Sequence, residues 1–137
     1  MNFNALKLTR SLSLLLLLAM FPSCISMLEA PPSRPGPGDD VGPRPENAAE
    51  IAARWANSHY AFIPAAPFTA DEMRFTGPTP VVYHDLILGR AVGWQIVLGP
   101  ENERLCRQTE LSYTRLIINR GRIVSIVSSD QGFAEPR

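Results

Sequence analysis

The clearest helical pattern runs from Asn47 to Tyr60. Ala48, Ile51, Ala52, Trp55 and His59 recur at helical spacing and form one apolar face, while Glu50, Arg54 and Asn57 fall elsewhere. Asn47 followed three residues later by Glu50 matches a capping box, and Pro64 lies beyond the end. Thr69 and Glu72 repeat the same pairing, which predicts a helical turn or two over 70–75. Gly77, Pro78 and Pro80 are expected to stop it. From Val81 the pattern changes to that of strands. Val81–Leu88, Ala91–Leu98, Thr109–Ile118 and Arg122–Ser128 are rich in β-branched and aromatic residues. Val92, Trp94, Ile96 and Leu98 alternate, as do Leu111, Tyr113 and Ile117. Asn119-Arg120-Gly121 between two apolar runs predicts a hairpin, with Gly121 supplying a positive φ.

Short connections imply an antiparallel meander. The predicted fold is therefore α+β: one amphipathic helix and a short second helix packed on a three- to four-stranded antiparallel sheet. Trp55 and Trp94 are the expected core anchors. The residues from Asp130 onward read as a frayed tail.

The N-terminal third has a different character. Lys7 and Arg10 precede a ten-residue run, Leu12 to Phe21, that holds six leucines and ends in Pro22-Ser23-Cys24. A positive start, a short apolar core and a small residue before a break describe a secretory signal. The run is too short for a membrane-spanning helix, which needs roughly 17–25 residues. Residues 31–45 (PPSRPGPGDDVGPRP) contain six prolines and three glycines. That composition predicts a spacer, about 45 Å long if extended at ~3.1 Å per residue. The expected organisation is a signal over 1–23, a Pro/Gly-rich tether over 24–45 and a single small domain over 46–137.

Cysteine after a leucine-rich signal, with Ser23 before it, resembles a bacterial lipoprotein signal. The resemblance implies cleavage before Cys24 and attachment of lipid, palmitate included, to that residue. With Ile25 next, it also implies sorting to the periplasmic face of the outer membrane. Ordinary cleavage after Ser26 or Ala30 is the alternative and would give a secreted or soluble periplasmic protein. A third reading is an uncleaved anchor reaching Leu28.

Beyond Cys24 the chain has eleven arginines, thirteen acids and no lysine, a net charge of −2. This gives no support to a nucleic-acid partner. No G-x-S-x-G, H-E-x-x-H, phosphate-loop or paired C-x-x-C pattern occurs. Two histidines and one further thiol, Cys106, are too few for a convincing zinc site. No metal, cofactor or catalytic residue is therefore expected. His84-Asp85 and Cys106 are the groups that an enzymatic reading would have to use. Asp71-Glu72 reads as helix capping. One charge asymmetry stands out. Arg104, Arg107, Arg115, Arg120 and Arg122 fall within nineteen residues that hold a single acid, Glu110. They form a candidate patch for an anionic envelope partner.

The leading expectation is a tethered, non-enzymatic binding or scaffold domain of a cell-envelope assembly. A helix on a sheet also allows a cystatin-like or NTF2-like domain that binds a small ligand or inhibits an envelope hydrolase. Thr69-Ala-Asp-Glu72-Met73, followed by Gly77 and Pro80, resembles the T-x-x-[EQ]-V helix start of the small lipoproteins of the outer-membrane barrel-assembly machine. Ser112–Ser129 resembles the last hairpin of that family. This resemblance implies an ααβββ order and a role as a barrel-assembly component.

Overall fold

A computed structural model describes residues 31–59, 66–85, 87 and 89–137. The signal, Cys24 and Leu28 lie outside the described residues. Pro31–Arg137 form one compact unit.

The strands form a four-stranded antiparallel meander in the order β1-β2-β3-β4, made of Phe75–Asp85, Gly89–Leu98, Tyr113–Asn119 and Arg122–Ser129. Helix α1 (Ala48–His59) precedes the sheet, and helix α2 (Glu103–Thr109) interrupts it between β2 and β3. The α+β class and the antiparallel meander are as the pattern predicts. The order of elements is α-β-β-α-β-β, which departs from the ααβββ order implied by the barrel-assembly resemblance.

Alternation along the strands gives the sheet two differently covered faces. On the first, Ile96, Leu98, Leu116 and Ile118 meet Ile51, Ala52, Trp55 and Ala56 of α1 and Leu105 of α2. The buried helix face is rich in alanine, and Trp55 is its largest buried side chain. On the second face Val81, Tyr83, Ala91 and Ile117 form a smaller cluster with Val127 at its side. Trp55 is a core anchor, as expected. Trp94 is only half buried, and its indole N–H donates to the Gly42 carbonyl at 3.0 Å. The largest fully buried side chains include Tyr83, Ile96, Leu116 and Ile117.

Three local expectations change. Gly77, Pro78 and Pro80 lie inside β1, where the register shifts between Thr76 and Thr79. Gly77 has φ +100°, and a Cβ there would sit 2.5 Å from the Gln95 carbonyl oxygen, so a bulge absorbs what reads as a strand breaker. The predicted Thr69 cap makes no side-chain cap hydrogen bond, and only one 3-10 turn forms, Ala70–Glu72. Finally, Thr109 ends α2 and β3 starts at Tyr113. Glu110, at φ 60°, closes the helix with its N–H donating to the Cys106 carbonyl.

The Pro/Gly segment is not a free spacer. Ser33 and Val82 exchange backbone hydrogen bonds of 2.8 Å, so residue 33 covers the outer edge of β1. Asp39 pairs with Arg90, and Asp40 with Arg120. Asn119 donates to the Asp40 carbonyl at 2.9 Å. The segment thus passes around the end of the sheet where the β1–β2 and β3–β4 turns lie, and leads into α1. Prolines deny it a regular strand, but its carbonyls and two aspartates find partners on the domain.

The C-terminal tail is docked as well. It leaves β4 at one side of the sheet and reaches the other. There the Arg34 N–H donates to the Arg137 carbonyl (2.8 Å), and the Arg137 N–H donates to that of Pro32 (3.0 Å). The tail is a strap over the second face, in place of the frayed end its composition suggests.

Candidate functional site

The five arginines do not form one patch. Arg104 sits on α2 and stacks over the Phe68 ring at 4.2 Å. It pairs with Glu72 and donates to the Ala66 carbonyl at 2.6 Å. Arg120 makes two hydrogen bonds to Asp40 at the hairpin end. Arg115 is only 3% exposed and lies inside the second face. Arg107 and Arg122 are exposed at opposite ends of the sheet. Three of the five are therefore engaged within the domain. Spacing in sequence failed here because α2 and the β3–β4 turn sit at opposite ends of β3.

The groups available to an enzyme are separated too. Tyr83, His84 and Trp94 share no cavity, because Tyr83 faces the second side of the sheet while Trp94 faces the first. Asp85 Oδ1 accepts from the Ile87 N–H at 2.7 Å, which is turn chemistry. Cys106 is a free thiol, half buried, with Sγ 3.6 Å from the carbonyls of Gly99 and Ser112. Burial, then the nearby Glu101 carboxylate, pushes its pKa up, away from the thiolate a nucleophile requires. Among the described residues no three His, Cys, Asp or Glu side chains converge to hold a metal.

Among the described residues two larger concave surfaces stand out, and neither was singled out by residue type. The first is an apolar groove of about 520 Å³ between α1 and β4, lined by Ile51, Arg54, Trp55, His59, Ile123 and Ile126 among others. The His59 ring lies 5.6 Å from that of Trp55 and forms part of the wall. Among the described residues β4 pairs only with β3, and no further strand lies along its outer edge beside this groove. Val124 and Ile126 on that strand are each 43% exposed. The second is a polar cleft of about 390 Å³ under the C-terminal strap, lined by β1 and β2 residues, Tyr113 and residues 132–135. A smaller hollow of about 210 Å³ beside α2 is lined by the Arg104–Glu72 pair together with Phe68, Met73 and Leu105, among others.

Sequence reasoning could have reached the β4 edge. Ile123-Val-Ser-Ile-Val-Ser-Ser129 has no charge and no proline, the devices that usually guard an edge strand. The polar cleft had no comparable signal, because its walls come from four separated stretches of chain.

Among the described residues, the α+β domain thus presents an unpaired apolar strand edge and a strapped polar cleft. Comparison with protein-family models, with curated proteins and with solved structures gave no match to this chain. No helix among the described residues is long and apolar enough to cross a membrane.

Proposed function

We propose that this chain is an exported, lipid-anchored domain of the cell envelope that acts without catalysis, by binding an extended segment of a partner protein along β4. The observation that carries this reading is the asymmetry of the two sheet edges. The β1 edge is covered by residues 32–34, which pair with both Val82 and Arg137. The β4 edge, among the described residues, has no such cover. Exposed edge N–H and C=O groups are a template for one more strand, and an adjacent apolar groove supplies side-chain selectivity. The partner segment is expected to carry a large aliphatic or aromatic side chain for the pocket formed by Trp55, Ile123 and Ile126. Arg54 lines the groove and Arg122 begins the strand, so an acidic residue flanking the apolar one is favoured. Export and anchoring rest on residues 1–24 and on the lipoprotein resemblance at Cys24.

The test is in-cell photo-cross-linking from a probe placed at position 126 of the tagged full-length chain, followed by mapping of the linked peptides. Links to one extended stretch of one envelope protein, lost on Val124→Lys, support the reading. Links scattered over many proteins, or links that survive Val124→Lys, overturn it. Anchoring is tested separately: Cys24→Ser is expected to move the protein from the membrane to the soluble fraction, and unchanged fractionation would remove the anchor.

A further inference from the structure

The end of the sheet that carries the β1–β2 turn has a feature that β4 binding does not use. Ile87, in that turn, is 90% exposed, against 43% for Val124 and Ile126, the other exposed large hydrophobic residues among those described. The backbone of the turn does not require it. Asp85 Oδ1 accepts from the Ile87 N–H, and Gly89 supplies a φ of +88°. Turns favour small and polar side chains, yet the sequence here reads Leu86-Ile87-Leu88. Neither the core nor the turn accounts for a β-branched aliphatic side chain held in solvent. One exposed aliphatic residue is ordinary on a protein surface. What singles out Ile87 is where the chain enters the domain. Ser33 and Val82 form an antiparallel bridge through two backbone hydrogen bonds of 2.8 Å. In that sense of pairing, the step back from Ser33 to Pro31 runs forward along β1 from Val82 toward Asp85 and the turn. The chain from Cys24 therefore enters at the Ile87 end. Pro31 is the seventh residue after Cys24, a reach of at most about 25 Å.

We propose that Ile87 is a second membrane contact: the β1–β2 turn enters the headgroup–acyl boundary of the same bilayer that holds the lipid on Cys24. The domain is then oriented with its β1–β2 and β3–β4 turns toward the membrane and α2, at the opposite end of the sheet, away from it. This contact rests on the anchoring read from residues 1–24. One isoleucine is too little to hold a soluble domain on a bilayer. An anchor within about 25 Å keeps the bilayer at high effective concentration, so the turn needs only a weak affinity of its own. The charges at this end do not oppose an anionic headgroup layer. Asp39 and Asp40 are paired with Arg90 and Arg120, Asp85 is engaged in the turn, and Arg34, His84 and Arg122 are exposed.

The experiment places a solvatochromic fluorescent amino acid at position 87 of the full-length chain, made and processed in cells. A second sample carries it at position 107, exposed on α2, as the distal control. The purified protein is reconstituted in vesicles of phosphatidylethanolamine and phosphatidylglycerol, with and without nitroxide-labelled lipid, and floated on a density gradient. On the floated chain, a blue shift and quenching by the labelled lipid are expected at 87, and neither at 107. A probe at position 84, also exposed, then reads the variants. Its lipid quenching is expected to fall about threefold in Ile87→Asp and to persist in Ile87→Leu, with circular dichroism unchanged in both. A floated chain whose position 87 stays in water overturns the proposal and leaves the anchor standing. A blue shift without lipid quenching means that the turn packs against protein, and overturns it too. Equal quenching at 87 and 107, or quenching at 84 that ignores Ile87→Asp, does the same. A chain that does not float removes the anchor, and this contact with it. No substitution here touches β4, so the strand-binding reading is tested apart.

Discussion

Arg120 grips Asp40 through two hydrogen bonds, of 2.9 and 2.8 Å, across eighty residues of sequence. The pair ties the β3–β4 turn to the Pro/Gly segment and turns an apparent tether into part of the domain. Arg120 sits at φ 49°, a left-handed conformation a turn imposes and a side chain rarely adopts freely. Asn119 completes the junction by donating to the carbonyls of Asp40 and Val92, both at 2.9 Å.

The Asp40–Arg120 pair is solvent-exposed, so its removal is expected to act on local docking more than on global stability. Asp40→Asn should leave the thermal midpoint nearly unchanged while speeding amide exchange and proteolysis between residues 36 and 45. The same release is expected on acidification. The Arg120 guanidinium, then the Gly42 N–H, hold the Asp40 carboxyl below its usual 3.8. The Gly36 N–H, then Arg90, do the same for Asp39. A depressed folded pKa stabilises above the unfolded value and is lost as pH falls through the folded one. Docking should therefore hold at neutral pH and fail progressively below 3.8, an effect absent in an Asp39→Asn, Asp40→Asn double variant.

Leu116, on β3, is fully buried in the cluster that includes the face of α1. Leu116→Ala opens a cavity against Ala-rich α1, whose short side chains cannot collapse to fill it. A loss of about 2–5 kcal/mol is expected by urea denaturation. In a domain of this size that is a large share of the total. A loss under 1 kcal/mol would show that α1 repacks.

Two asparagines clamp backbone in the same way. Asn57 accepts from the Phe68 N–H at 2.7 Å and donates to the Phe68 carbonyl at 3.0 Å. Asn102 does this for Arg74, at 2.8 and 2.7 Å, and also donates to Gly99. Each side chain stands in for a strand partner along the connection between α1 and β1. Asn102→Asp keeps the acceptor and loses the donor, leaving the Arg74 carbonyl unmet. A cost of about 1–3 kcal/mol is expected, and Asn102→Ala should cost at least as much. Equal stability of all three proteins would show that the clamp contributes nothing.

Cys106 is expected to react slowly. Burial and Glu101 hold its pKa above the ordinary thiol value, so little thiolate is present at neutral pH. Alkylation by iodoacetamide should be slower than that of free cysteine and should rise sharply in denaturant. A native rate above that of free cysteine would point to a reactive site instead.

Much of the fold was legible in local pattern. The face containing Ile51, Ala52 and Trp55 marked α1, and alternation from Val92 to Leu98 marked β2. Asn119-Arg120-Gly121 marked the hairpin because its turn requires positive φ, seen at both Arg120 and Gly121. The errors have physical causes. Gly77 and Pro78 break strands in general but are accommodated in β1 by a bulge at an edge. The segment Glu103–Thr109 has a weak apolar face, with Leu105 its one buried side chain, so its periodicity gave little notice of a helix.

The candidate sites were less legible. Arginines close in sequence looked like a patch, but a helix and two strands carry them apart, and Arg115 is buried between the Tyr83 and Phe133 rings instead of standing as a surface charge. Gln95, which lines the polar cleft, carried no signal at all, since the tail that covers it comes from the far end of the chain.

The α+β class, the helix face, the meander and its tightest turn are set locally, because they follow from side-chain periodicity and backbone sterics within a few residues. Tertiary structure alone decided what covers each edge and face of the sheet. Residues 31–45 and 130–137 have no regular pattern, and their order comes from hydrogen bonds and ion pairs with partners far away in the chain. The strapped cleft, the burial of Arg115 between Tyr83 and Phe133 and, among the described residues, the unpaired β4 edge exist only once those long-range contacts have been made.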